Sequence, residues 1–198
     1  RFLDKLNKGL KDQVEQISFA HTQRVLKGNL SVVFYDMTTL YFEAGDEDDL
    51  RKTGFSKDGK HQSPQIYLGL LVGLGGYAIG YDIFEGSTYE GHTLIPFLEK
   101  ITARFDLGKP VVVADAGLLS TENITALEKD YYQYIIGARI KNESEQIKQK
   151  ILSQQWRDGK LSRFRKNDTT KLIVAYSQKR ALKDEHNRRR GLKRLEKQ

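Results

Sequence analysis

The segment Gln65 to Gly86, QIYLGLLVGLGGYAIGYDIFEG, constrains the fold more than any other part of the chain. Two apolar runs of strand length meet at Gly75-Gly76, and paired glycines supply the positive φ angles that a tight hairpin turn requires. An antiparallel strand pair is therefore expected. Gly73, Gly75 and Ala78 also fit the glycine spacing of a dinucleotide-binding turn. That turn needs a helix directly after it, and AIGYDIF is strand-like, so the hairpin accounts for these residues without a cofactor.

The segments on either side extend the pattern. SVVFYDMTTLYFEA, from Ser31, is rich in β-branched and aromatic residues, lacks proline and predicts a strand. An acidic, glycine-bearing loop from Glu43 to Gly59 follows; its Asp46 to Asp49 cluster is taken as solvated. Leu94, Phe97, Leu98 and Ile101 define one apolar face of a helix over Thr93 to Phe105, closed by Gly108 and Pro110. Then come a strand at VVVADAG, a helix from about Ser120 to Asp130 capped by Ser120 or Thr121, and a strand at YQYIIGAR. Three strands followed by alternating helices and strands predict a mixed sheet with helices on its faces.

The ends of the chain are more polar. Residues 1–28 predict a helix with Leu3, Leu6, Leu10, Val14 and Ile17 at helical spacing, stopped by Gly28 and Asn29. Asn142 to Gln154 predicts a polar helix, Trp156 to Thr170 a polar and basic stretch with Trp156 over a small satellite core, KLIVAYS a short strand, and the tail a final helix. Between Gln178 and Gln198 nine Lys or Arg face three acidic residues, so most of the net charge of +7 lies here. A cationic segment of this density suits a nucleic-acid backbone, although an exposed, merely solubilising helix has the same composition.

With 198 residues the chain is long enough for one domain, or one domain and an appendage. No run approaches the length of a membrane span. The absence of cysteine excludes disulfides and thiolate metal sites, and suits a reducing, cytoplasmic setting. Because the chain starts at Arg1, it is expected to be a piece of a longer protein. His61 and His92 are too isolated to suggest zinc.

Two aspartates ask for an explanation. Aspartate is disfavoured in strands, yet Asp36 lies in the middle of one and Asp115 ends another. Alternation places Asp36 on the face of Val32, Phe34 and Thr38, where an unpaired buried carboxylate would cost several kcal/mol. Carboxylates on neighbouring strands can converge on Mg²⁺, which prefers hard oxygen ligands. Paired ions can then assist in-line cleavage of a phosphodiester. The plainer alternative is that Asp36 bonds Thr38 or Thr39 locally and Asp115 caps a turn.

YDMTTLYFE around Asp36, then GFSKDGKHQSPQIYLGLLVGLGGYAIGYDIFEGSTYEGHTLIPFLEK, then VVVADAGLLSTENITALEKDYYQYIIGARIK, together resemble the catalytic domain of DDE transposases of bacterial insertion sequences. The resemblance runs from about Ser31 to Arg180. It implies an α/β, RNase H-like fold with a mixed five-stranded sheet, whose first strand carries one catalytic Asp, here Asp36, and whose fourth ends in a second, here Asp115. It also implies two Mg²⁺ or Mn²⁺ ions held by the acidic residues, DNA as substrate, nicking at a transposon end followed by strand transfer, and a homodimer at the paired ends. Residues 1–28 would be an N-terminal helical segment, 29–142 the first part of the catalytic core, and 143–198 a helical, basic segment leading into an insertion.

The family's third acidic residue is a glutamate within a Tyr, Arg, Glu, Lys pattern. Tyr176, Arg180, Asp184 and Glu185 only superficially match it, so the third carboxylate is expected beyond Gln198, and this chain alone is expected to show little or no strand transfer. Arg139 and Lys141, just past a strand, are candidate phosphate contacts, as are Lys179, Arg180, Arg188, Arg189 and Arg190 of the tail. A structure-selective nuclease of the same fold and a non-catalytic DNA-binding remnant are the competing functions.

Overall fold

The computed structural model describes residues 9–56 and 58–196. The chain forms two compact units, the first ending at Gly137 and the second starting at Ala138. In the first unit, α1 (Lys11–Val25) precedes β1 (Val32–Tyr41), β2 (Gln65–Val72) and β3 (Ala78–Glu85); α2 (Leu94–Phe105), β4 (Val111–Ala114), α3 (Thr121–Lys129) and β5 (Tyr134–Ile136) follow. The expected order of three strands, helix, strand, helix, strand is present.

These strands form one five-stranded mixed sheet in the order β3-β2-β1-β4-β5. β1 pairs antiparallel with β2 and parallel with β4, and β4 pairs parallel with β5. Strand alternation decides which face closes. Val33 and Tyr35 of β1, Tyr67 and Leu71 of β2, Ile79 of β3 and Val112 of β4 are buried with Leu94, Phe97, Leu98 and Ile101 of α2 and Leu127 of α3. Each such side chain contributes about 1.5–3 kcal/mol through burial. The opposite face presents Phe34, Leu70, Ile83 and Ile135 to solvent.

The hairpin between β2 and β3 uses both glycines at positive φ, 76° for Gly75 and 81° for Gly76. The connection is longer than a two-residue turn: Gly73 N–H donates to the Tyr77 carbonyl at 2.8 Å, and a register shift at Leu71/Val72 precedes it.

α1 departs from the sequence expectation, and Leu3 and Leu6 lie outside the described residues. Val14 and Ile17 are exposed, while Glu15, Phe19 and Thr22 are buried. Polar anchoring decides this face: Glu15 and Asp12 both accept from the Arg104 guanidinium, and Thr22 Oγ1 donates to the Ala78 carbonyl at 2.6 Å. Phe19 stacks on Phe105 with ring centroids 4.2 Å apart.

The second unit contains α4 (Glu145–Leu152), a hairpin of β6 (Leu161–Arg165) and β7 (Lys171–Ala175), and α5 (Gln178–Leu195). The stretch expected to be merely polar and basic therefore holds a strand, β6. Its arginines stay exposed and only Phe164 is buried, in a small core with Ile151, Leu172 and Val174. Trp156 packs on that core and donates from Nε1 to the Ile151 carbonyl at 2.8 Å, so its ring is structural.

Candidate active site

β1 and β4 run parallel in the register Val32↔Val111 to Tyr35↔Ala114. The next residues along the two strands are Asp36 and Asp115. Asp115 keeps an extended backbone, φ −79° and ψ 176°, so strand alternation continues through it. Both carboxylates therefore leave the same sheet face from adjacent strands, whose spacing is about 4.8 Å. Chain direction singles out the same place. From β1 the chain goes to one side of the sheet, through β2 and β3, and from β4 it goes to the other, through β5. In open sheets the carboxyl ends of parallel strands at such a reversal form the crevice where ligands bind.

Both aspartates are exposed. The desolvation cost expected for Asp36 is thus not incurred, because the sheet face around it is open. Asp36 Oδ1 accepts from the Met37 N–H at 2.8 Å, and Asp115 Oδ1 accepts from the Gly117 N–H at 2.7 Å. The second bond caps the 3₁₀ turn Ala116–Leu118, so the turn-capping role of Asp115 is real. It occupies one oxygen of the carboxylate. The other oxygen of each aspartate has no hydrogen-bond partner, and neither forms an ion pair, among the described residues.

Two residues beside this pair gave no functional signal in the sequence. The Glu90 carboxylate lies across Gly117 from Asp115: a Cβ at Gly117 would sit 2.9 Å from Glu90 Oε2 and 3.0 Å from Asp115 Oδ1. A glycine two residues past a strand-end aspartate is the only trace the sequence offers. Beneath Asp36, the Tyr35 hydroxyl donates to Thr93 Oγ1 at 3.0 Å. Burial pushes the Tyr35 phenol up to about 12; the Thr93 hydrogen bond opposes this, and the negative charges of Asp82, Asp36 and Glu90 add to it.

Among the described residues no group of three or more His, Cys, Asp or Glu side chains is arranged to hold a metal ion. The acidic loop is committed to its own folding: Asp48 accepts from the Leu50 and Arg51 N–H groups, and Glu47 from Thr53. The Arg51 N–H, the Arg51 guanidinium and the Leu50 N–H hold the exposed Asp48 carboxyl down at about 2.

The remaining candidates belong to the second unit. Arg139 and Lys141 are exposed at the 3₁₀ turn Ile140–Asn142. Lys179, Arg180, Arg188, Arg189 and Arg190 all lie exposed on α5, which Ser177 caps by accepting from the Arg180 N–H. Arg180 pairs with Asp184 at 3.5 Å, and Arg189 with Glu185 at 2.5 Å. Glu185 is therefore engaged within its own helix.

Several solved transposase structures share part of this backbone. They include the piggyBac transposase synaptic complex with hairpin DNA (14% identity over 75% of this chain and 31% of that one, TM-score 0.48). The Mos1 transposase paired-end complex with left transposon end is another (14% identity, 62% and 40%, TM-score 0.37), as is the Mos1 mariner paired-end complex with Mn (14% identity, 62% and 40%, TM-score 0.36). The chain thus spans well under half the length of each. No curated protein matches it. Residues 27–190 match the family described as Transposase DDE domain, which takes in both aspartates, the whole sheet and most of α5, and the chain belongs to that family.

Proposed function

We propose that this chain supplies the Asp36 and Asp115 part of a transposase catalytic centre that cleaves and rejoins DNA phosphodiesters during transposition. The observation that carries this reading is the register of β1 and β4, whose last pair, Tyr35↔Ala114, is followed on each chain segment by an aspartate, at the sheet's reversal point. Family membership supports it independently.

The donor set fits a hard divalent cation. Two adjacent, exposed carboxylates, each with an oxygen uncommitted among the described residues and neither neutralised by a described Lys or Arg, match the preference of Mg²⁺ or Mn²⁺ for oxygen ligands. Asp36 and Asp115 would hold the metal, two ions in the complete centre. When bound, the metal would supply Lewis acidity for in-line displacement at phosphorus. The chain's own contribution is to present both carboxylates from rigid strands. The Met37 and Gly117 N–H groups each fix one oxygen of the respective aspartate.

DNA is the proposed partner. The α5 cations, with Arg139 and Lys141, are suited to phosphate contacts that carry no sequence information. Joining two ends of one element calls for two copies, so a homodimer on DNA is part of the proposal, as is a cytoplasmic setting.

The test is nicking of duplex DNA in Mg²⁺ or Mn²⁺ by the transposase containing this chain, wild type against Asp36→Asn and Asp115→Asn. Each substitution is expected to abolish nicking and leave DNA binding intact. Nicking that survives both would refute the assignment.

A further inference from the structure

Asp36 is held within β1, paired with Leu70 of β2, whereas Asp115 lies one residue past β4, where the β1–β4 register no longer fixes it. Buried polar groups under the sheet link them. On the closed face, Thr93 Oγ1 accepts from the Tyr35 hydroxyl at 3.0 Å and lies 2.8 Å from Met37 Sδ. Tyr35 and Met37 are the residues on either side of Asp36. Thr93 Oγ1 also lies 2.8 Å from the Glu90 carbonyl oxygen, which like the sulfur can accept its single proton. Asp36 is thereby tied to the 3₁₀ turn Glu90–His92.

The same turn is tied to Asp115. Asn123 Nδ2 donates to the Gly91 carbonyl at 2.7 Å and to the Leu118 carbonyl at 2.9 Å, using both of its protons. Leu118 ends the turn Ala116–Leu118, whose Gly117 N–H holds Asp115 Oδ1. The linking side chains are shut off from water: Tyr35 is 2% exposed, Thr93 1% and Asn123 3%. A polar network so placed is rigid when satisfied and costly when broken.

We propose that Thr93 and Asn123 are positioning residues that set the separation of the two carboxylates by fastening both to the Glu90–His92 turn. The inference rests on the metal-site reading of Asp36 and Asp115. Neither residue touches the metal or the DNA; each acts through the backbone next to a carboxylate. The role resembles that of the outer partners of metal ligands, whose loss typically weakens metal binding about 10–100-fold.

Two readouts test this in the chain itself, with circular dichroism confirming that each variant is folded at the temperature used. The first is Mn²⁺ affinity by calorimetry. Thr93→Val and Asn123→Ala are expected to weaken binding about 10–100-fold, while Thr93→Ser, which keeps the hydroxyl, binds as the wild type does. Ile101→Val, a core truncation outside the network, is also expected to bind normally. Equal loss in Ile101→Val, or unchanged affinity in Thr93→Val and Asn123→Ala, would overturn the proposal. The second readout needs no metal: the Gly117 amide resonance, which reports the bond to Asp115, is expected to move in Asn123→Ala and stay in Ile101→Val. If the wild type fails to bind Mn²⁺, the metal reading falls, and the Gly117 resonance alone decides the positioning claim. An unmoved resonance overturns that claim whatever the metal does.

Discussion

Asp36 and Asp115 sit on strands whose other face is sealed by α2 and α3, whereas the arginines of α5 sit on a helix with no buried residue. The difference matches what the chemistry proposed for each would demand. A metal centre would need ligands in fixed positions, and the side chains beneath the aspartates, Tyr35, Thr93 and Asn123, are buried and hydrogen-bonded. Following a phosphate backbone requires charge density and little else, so long exposed side chains suffice. Buried polar contacts in the first unit should therefore be energetically large, and exposed contacts on α5 small.

The ion pairs offer the strongest contrast. Arg104 binds Glu15, which is 3% exposed, while Arg189 binds Glu185 on the open surface of α5. Arg104→Ala leaves the buried Glu15 carboxylate with only the half-exposed Lys11 ammonium, 3.9 Å away, and is expected to cost about 3 kcal/mol. Arg189→Ala is expected to cost under about 0.5 kcal/mol. Urea unfolding of the two variants measures both, and equal destabilisation would break the comparison.

Alkaline titration gives the next largest effect. Because the folded Tyr35 phenol is raised from 10.0 to about 12, the folded state binds the proton more tightly than the unfolded state. The resulting stability is fully present below pH 10 and is lost as pH rises through about 12, up to about 2–3 kcal/mol in all. Tyr35→Phe is expected to be less stable near neutrality and to lack this part of the alkaline decline. A variant with the same decline as the wild type would show that another group is responsible.

The smallest effect concerns α5. Replacing Arg188, Arg189 and Arg190 by Gln is expected to weaken DNA binding about tenfold at low salt. For every phosphate that is no longer neutralised, the slope of log affinity against log salt should become shallower by about 0.9. Mn²⁺ binding should not change. An unaltered slope would remove α5 from the DNA interface.

Much of the first unit was legible because its signals are local. β1, β2 and β3 follow β-branched composition and alternation, and α2 buries the four residues its spacing marks: Leu94, Phe97, Leu98 and Ile101. The buried side of α1 was not legible. An anchoring pair such as Glu15 with Arg104 leaves no hydrophobic period, so Val14 and Ile17 misled. β6 was missed for a related reason, since LSRFR buries one side chain and exposes two arginines. Asp36 and Asp115 could be picked out individually as strand aspartates, but their alignment depends on β1 pairing with β4 across most of the unit. Thr93 and Asn123 look like ordinary helix-end residues until the turn they hold is seen.

The central claim is that Asp36 and Asp115 form one cation site, and Mn²⁺ calorimetry of the wild type, Asp36→Ala, Asp115→Ala and the double variant tests it most directly. A shared site predicts that each single substitution removes nearly as much binding as the double, a strongly non-additive cycle. Independent, additive effects, or binding that survives the double substitution, would contradict it.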